Sequence, residues 1–331
     1  MFQAAHRIVL FLFAVSLILP RAQAEEEVVR LGIIGLDTSH VVRFTEYLNN
    51  PSHKTGCKVV AAFPGGSPDI PASADRIEGF TRQLREDLGV EIVDTIEQLC
   101  EKVDGVLLES IDGRLRLEQI RPVLAAKKPL FLDKPVAANL ADVLEVYRLA
   151  REAGVPCWSS STWRFTSGVR KVQDGEVGQV LGCVAFGPCS TIPHHPDLYW
   201  YGIHTVETLF AVMGPGCESV SRTSTAQTEV VVGKWKDGRI GIFRGGRHAG
   251  AGAGFLVFGS KAMRQYGHKE SYPVLLKEVV AFFRNGTVPV KPEQTIEIYA
   301  FMSAADVSKA KGGCPVKLDE VIREAKAKHR P

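Results

Sequence analysis

Residues able to move protons or grip charged groups gather in three stretches of this sequence. Asp133-Lys134-Pro135 ends a short apolar run with an ammonium group. Such a group stabilises negative charge developing on oxygen, and removal from water lowers its pKa towards useful values. On residue type alone, a solvated lysine held before proline is the simpler account. Tyr201-Gly202-Ile203-His204 sets an imidazole at the start of a helical run, where its near-neutral pKa suits a general base. A helix-start histidine bonded to backbone is the plainer alternative.

The third stretch, Gly32 to His40 (GIIGLDTSH), begins as a dinucleotide-binding turn does, with an apolar strand running into Gly35. The fingerprint Gly-x-Gly-x-x-Gly then needs glycine at 37 and 40, where this chain has Asp37 and His40. A carboxylate about 5 Å from a phosphate costs roughly 3 kcal/mol at an effective dielectric near 20. That is about two decades of affinity. Asp37-Thr38-Ser39 also reads as a cluster of helix N-cap residues.

A denser group lies in PHHPDLYWYGIHTVE, which supplies His194, His195, Asp197, His204 and Glu207. His204 and Glu207 are i, i+3 neighbours on a helix and can face one site. Imidazole and carboxylate suit a divalent metal, so these residues form a metal-site alternative. The simpler expectation is no metal, and a polar substrate rim on which Tyr199, Trp200 and Tyr201 stack against a sugar.

The elements that must position these groups alternate strand and helix from Val28 to about Gly154. Short apolar runs at 29–34, 58–63, 105–109 and 130–132 predict strands covered on both faces. Helices are predicted over 39–49, 74–88, 95–102, 114–127 and 140–153, the last starting at Asn139 and stopping at Gly154. This spacing makes a doubly wound parallel sheet with ligands at the strand carboxyl ends. From residue 158 onward, runs at 182–186, 229–235, 239–243 and 255–258 between glycine-bearing turns predict a mostly antiparallel sheet. A helix over 203–213 interrupts it, and helices over 272–284 and 293–309 close the chain. The expected organisation is therefore a Rossmann-type α/β domain over 25–157 and an α+β domain over 158–331, whose closing helices pack back on the first.

Residues 1–24 read as a secretory signal: Arg7, an apolar run from Ile8 to Leu19, and a small-x-small site at Ala22-Gln23-Ala24. The run is short for a membrane span. The expectation is an extracytoplasmic protein, soluble after signal removal and exported unfolded. A formal net charge of +3, from 40 basic and 37 acidic residues, makes no case for nucleic acid or a membrane surface. Seven cysteines without a Cys-x-x-Cys pair give neither a zinc ribbon nor a tidy disulfide framework, and buried thiols are the simpler reading. A homo-oligomer is left open.

Four stretches in order, VRLGIIGL, DKP, YGIHTVETL and the closing FFRNGTVPVKPEQTIEIYAFMSAADVSKAKGGCPVKL, resemble the Gfo/Idh/MocA family of sugar and cyclitol oxidoreductases. The resemblance implies NAD(P) held along Gly35, Leu36, Asp37, Thr38, Ser39, His40 and Glu109. It implies Lys134 beside the nicotinamide and the substrate hydroxyl, and His204 as the base that removes the hydroxyl proton. Arg164 in STWRF resembles the family's arginine after the first domain crossover, and Arg164, Trp200 and Tyr201 are the expected substrate contacts. Trp200 stands where the family's Asp-x-Gly-x-His motif has its acid, with Asp197 or Glu207 as substitutes. No acid ends the second strand to hold ribose hydroxyls, and the loop Glu109 to Arg114 adds Glu109 and Asp112 at the same sheet edge. The expected activity is oxidoreductase chemistry on a sugar, polyol or cyclitol. The alternatives are a cofactor-free or metal-assisted lyase, hydrolase or epimerase, and a carbohydrate-binding protein on the same fold.

Overall fold

The computed structural model describes residues 28–248, 250–269 and 272–328. The expected leader, 1–24, lies outside them. In chain order the first part comprises β1 (Val29–Ile34), α1 (His40–Leu48), β2 (Cys57–Phe63), α2 (Pro71–Glu86), β3 (Glu91–Ile92), α3 (Ile96–Lys102), β4 (Gly105–Leu108), α4 (Arg116–Ala125), β5 (Leu130–Leu132), α5 (Leu140–Ala153) and β6 (Cys157–Ser159). Its strands form one parallel sheet, ordered β3-β2-β1-β4-β5-β6. Every residue of β4 and β5 is buried, because helices cover both faces of such a sheet and apolar residues need not alternate.

Local chemistry sets the helix ends. Asn139 accepts the Asp142 N–H at 2.9 Å to cap α5, and Gly154 at φ +65° ends it. α2 starts three residues before the predicted position, because Pro71 at its first turn has no N–H to satisfy. At α1 the expected cap is not made by Ser39, whose side chain caps nothing. Thr38 Oγ1 instead accepts the His40 N–H at 3.4 Å.

The second part continues with α6 (Ser167–Gln173), β7 (Val180–Pro188), α7 (Asp197–Trp200), α8 (Ile203–Met213), β8 (Cys217–Ser224), β9 (Thr228–Trp235), β10 (Ile240–Gly246), β11 (Gly254–Gly259), β12 (Met263–Gly267), α9 (Pro273–Asn285), α10 (Pro292–Ala310), β13 (Val316–Lys317) and α11 (Leu318–Lys328). Its sheet runs β12-β11-β7-β10-β9-β8-β13 and is antiparallel except where β7 meets β10. β8, β12 and the short β13 lack the apolar runs by which β7, β9, β10 and β11 were predicted, and in the first sheet the short β3 and β6 were likewise not predicted.

The two parts share core. Leu275, Leu276, Val279 and Phe282 of α9 pack in one cluster with Leu31, Phe44, Phe131 and Trp158. Trp158 meets Phe131 and Phe282 with ring centroids 4.8 and 6.0 Å apart. Burial of such rings at the domain junction holds the two sheets in one fixed relation. Six of the seven cysteines are buried free thiols and Cys314 is exposed. No helix among the described residues is long and apolar enough to cross a membrane.

Candidate active site

The carboxyl ends of β1, β4, β5 and β6 bring Asp37, Glu109, Lys134 and Ser161 to one edge of the first sheet, as strand order dictates. The starts of α8 and α9 add His204 and Tyr272 from the second part. Arg116, fully buried, braces this edge by donating to the backbone carbonyls of Ser110 and Asp133.

Lys134 and His204 come to this edge within electrostatic reach of each other. Burial lowers the Lys134 ammonium from its ordinary value, Asp133 raises it and Arg116 lowers it further. Burial also pushes the His204 imidazole well below its ordinary 6.5, and the charges of Lys134 and then His40 push the same way. His204 is therefore neutral at neutral pH, the state a base requires. Its Nδ1 lies 2.6 Å from Ser161 Oγ, which also accepts the Trp163 N–H at 3.2 Å. Tyr201 packs edge-on against the imidazole at 5.1 Å.

His40 joins the same group. Its Nδ1 is 2.6 Å from Asp133 Oδ2, with side-chain exposures of 11% and 3%. Its ring stacks on Phe44 at 5.1 Å and meets the edge of Tyr272 at 4.7 Å. The Tyr272 hydroxyl bonds Ser39. Burial would raise the Asp133 carboxyl, but the charge and hydrogen bond of His40, then Lys134 and Arg116, hold it below the ordinary range.

The β1–α1 turn departs from a nucleotide seat. Gly35 sits at φ +90°, and a Cβ there would lie 2.2 Å from Ser110 Oγ, so packing inside the protein already demands this glycine. The N–H groups of Gly35 and Leu36 donate to the Phe63 and Pro64 carbonyls at 3.0 and 2.7 Å. The Asp37 carboxyl is fully buried, accepting from Ser73 Oγ at 2.7 Å and from the Ile111 N–H at 3.0 Å. It therefore ties the β1–α1 turn to α2 and to the loop after β4, at the position where the fingerprint's second glycine would admit a diphosphate. Burial raises its pKa, with Ser73, Ile111 and Arg116 opposing. The acid-free end of β2 is also engaged: Ser67 Oγ donates to Asp112 at 2.6 Å, and Arg114 clamps Asp112 and Asp69. These residues do not fit a dinucleotide laid in the ordinary way.

Glu109 adds a neutral acid. It is fully buried and neither carboxyl oxygen has a hydrogen-bond partner among the described residues. Burial, then the charges of Asp133 and Asp37, raise its pKa well above 4.5, with only Arg116 opposing. It is no ribose ligand in this arrangement.

Several expected assignments need correction. Arg164, expected on the substrate, is buried and paired with Glu207 at 2.9 Å. Glu207 also receives Ser160 Oγ at 3.4 Å and thus turns away from His204. Asp197, a suggested substitute acid, lies instead with Arg222, Arg247 and Lys309. Tyr199 is core rather than rim, its hydroxyl bonded to Ser303 at 2.7 Å. The metal alternative fails on position. His194 lies 3.6 Å from Asp69, while buried His195 accepts the Gly113 N–H at 3.0 Å and is pushed down to about 4 by burial. Among the described residues no three His, Cys, Asp or Glu side chains converge as a metal site. Trp200 packs on His195 at 5.6 Å, and Tyr201 is the exposed aromatic beside His204. Asp133, Ser161, Arg116 and Tyr272 were missed. Of these, only Asp133, within the DKP tripeptide, carried a sequence signal.

Comparison with known proteins agrees with this architecture. Residues 29–161 match the model of the GFO_IDH_MocA oxidoreductase family, NAD-binding Rossmann fold. A myo-inositol 2-dehydrogenase of Thermotoga maritima is 28% identical over 218 residues. That match takes in 57% of this chain and spans 65% of the relative's length. Among solved structures, a probable dehydrogenase from Thermotoga maritima superposes with a TM-score of 0.73 at 23% identity, covering 88% of this chain and all of that one. A Lactobacillus casei myo-inositol dehydrogenase, in complex with NAD(H) and myo-inositol, gives 0.70 at 17% identity over 88% of this chain and 96% of that one. Residues 29–161 are thus a Rossmann domain of the Gfo/Idh/MocA oxidoreductase family, and the chain carries the two-domain fold of its structural neighbours.

Proposed function

We propose that this protein is a sugar- or cyclitol-active enzyme that works at an alcohol or carbonyl carbon, as oxidoreductases of its family do. The observation that carries the reading is a neutral His204 beside Lys134 at the carboxyl edge of the sheet. His204 Nε2 takes or returns the proton of a substrate hydroxyl, and the Lys134 ammonium stabilises charge on the same oxygen. Tyr201 offers an exposed ring edge to a sugar face. The inositol substrates of the relatives support a polyhydroxylated ring as the substrate class.

A nicotinamide dinucleotide, where bound, supplies a two-electron hydride acceptor. Asp37 is engaged with Ser73 and Ile111 at the turn where the fingerprint would admit a diphosphate, which supports proton transfer as what this chain's own side chains perform. The reading is tested with myo-inositol, its 2-keto derivative and 3-ketoglucose, by calorimetry and turnover. Lys134→Met and His204→Gln are expected to keep binding within a few-fold and to lose turnover by about 10²–10⁴. Native turnover in both variants would overturn it.

A further inference from the structure

We propose that His40, oriented by Asp133, is a second proton-transfer residue that works with His204 in a redox-neutral epimerisation beside the carbonyl of a keto sugar or keto cyclitol. The inference rests on the reading of this cleft as the substrate site. It starts from a position where a nucleotide-binding turn has glycine, and where this chain instead has a histidine built into a dyad. His40 Nδ1 is fixed on Asp133 at 2.6 Å, and Phe44 and Tyr272 hold its ring plane. This is the geometry by which a carboxylate fixes a catalytic imidazole's tautomer and stabilises its cation. His40 Nε2 has no hydrogen bond among the described residues, and the side chain keeps 11% of its surface open.

His204 has the complementary character. Ser161 holds its Nδ1, its Nε2 is likewise without a protein partner among the described residues, and it carries no carboxylate of its own. The acid of the family motif is replaced by Trp200, and Glu207 is spent on Arg164. One imidazole is bonded to a carboxylate and the other to a hydroxyl, two different environments of the kind that divide acid and base roles. Lys134 joins them: it is the strongest charge acting on His204, and its chain neighbour Asp133 holds His40.

The chemistry balances without an oxidant. One imidazole takes the proton from the carbon beside the carbonyl. The C–H electron pair becomes the C=C bond of an enolate, and the carbonyl π pair moves onto oxygen, where the Lys134 ammonium meets it. The other imidazolium returns a proton to the same carbon from the opposite face. One proton leaves, one arrives, and the configuration inverts.

The experiment incubates the full protein in D₂O, free of nucleotide, with 2-keto-myo-inositol and 3-ketoglucose and the epimers of each beside the carbonyl. Deuterium entry is followed by NMR, and binding by calorimetry. The native protein is expected to exchange both epimers of one probe. In His40→Gln, exchange is expected to fall by about 10²-fold or more for one epimer and to persist within a few-fold for the other. His204→Gln is expected to show the reverse selectivity. Asp133→Asn, a change at a positioning residue, is expected to follow His40→Gln with a smaller loss, and it carries the comparison where His40→Gln fails to fold. Equal loss for both epimers, or none, in the His40 variant overturns the proposal, because damage to the fold does not choose between epimers. Binding of a probe without any exchange overturns this inference alone. Binding of neither probe overturns the substrate-site reading as well.

Discussion

Replacing Glu109 by glutamine tests the electrostatics of the cleft floor. The carboxyl is fully buried, has no hydrogen-bond partner among the described residues, and sits near Asp133 and Asp37. Its folded pKa stands well above the ordinary 4.5. Between 4.5 and that raised value, the folded chain therefore holds one proton that the unfolded chain has released. Stability then falls as pH rises, by about 1.4 kcal/mol per pH unit from this group. Glutamine occupies nearly the same volume and does not titrate. From pH 5 to pH 7 the variant should thus gain stability relative to the native protein, by at most about 2–3 kcal/mol. Urea unfolding of both proteins at the two pH values measures this, and the contributions of all other groups cancel in the difference. A gap that stays constant with pH, or one that shrinks, would mean that Glu109 is ionised in the folded protein.

Three further outcomes follow from the same edge of the sheet. Asp37→Gly should raise affinity for NAD(H) in calorimetry, by at most about a hundredfold, the limit for removing a full charge about 5 Å from a phosphate. It should also cost about 1–3 kcal/mol of stability by leaving the Ile111 N–H unpaired. Arg164→Met should destabilise by about 3–5 kcal/mol, because it strands buried Glu207. The double change Arg164→Met with Glu207→Leu should recover most of that loss in the same denaturation assay. In native protein the His204 imidazole should titrate well below 6.5 by NMR, so its base form survives as pH falls from neutrality. Lys134→Met should move that titration upward, because Lys134 is the strongest charge depressing it.

Four strands of the first sheet, β1, β2, β4 and β5, were legible because parallel strands buried on both faces read as unbroken apolar runs, as Leu130-Phe131-Leu132 does. β8, with Ser219, Ser221 and Thr223, and β12, largely exposed, have no such run. Pairing with β9 and β11, rather than composition, makes them strands. At the site, Lys134 and His204 stood out by the motifs that carry the resemblance, since residue type alone made Lys134 a solvated turn lysine. The partners did not: His40 meets Asp133 across 93 residues of chain, and nothing local distinguishes that histidine from a lost glycine. Arg164, Asp197 and Tyr199 were misplaced because sequence spacing does not say which way a side chain turns at a domain junction. His40 and Asp37 are where local reasoning met its limit, as happens where function bends the rules of a fold.

Titration of the native protein with NAD⁺ and NADH tests most directly whether Asp37 has replaced the diphosphate in a fold that keeps its proton-moving cleft. The bridge from Asp37 to Ser73 and Ile111 predicts no saturable binding below the millimolar range. Micromolar affinity, with the diphosphate lying against residues 35–40, would contradict it.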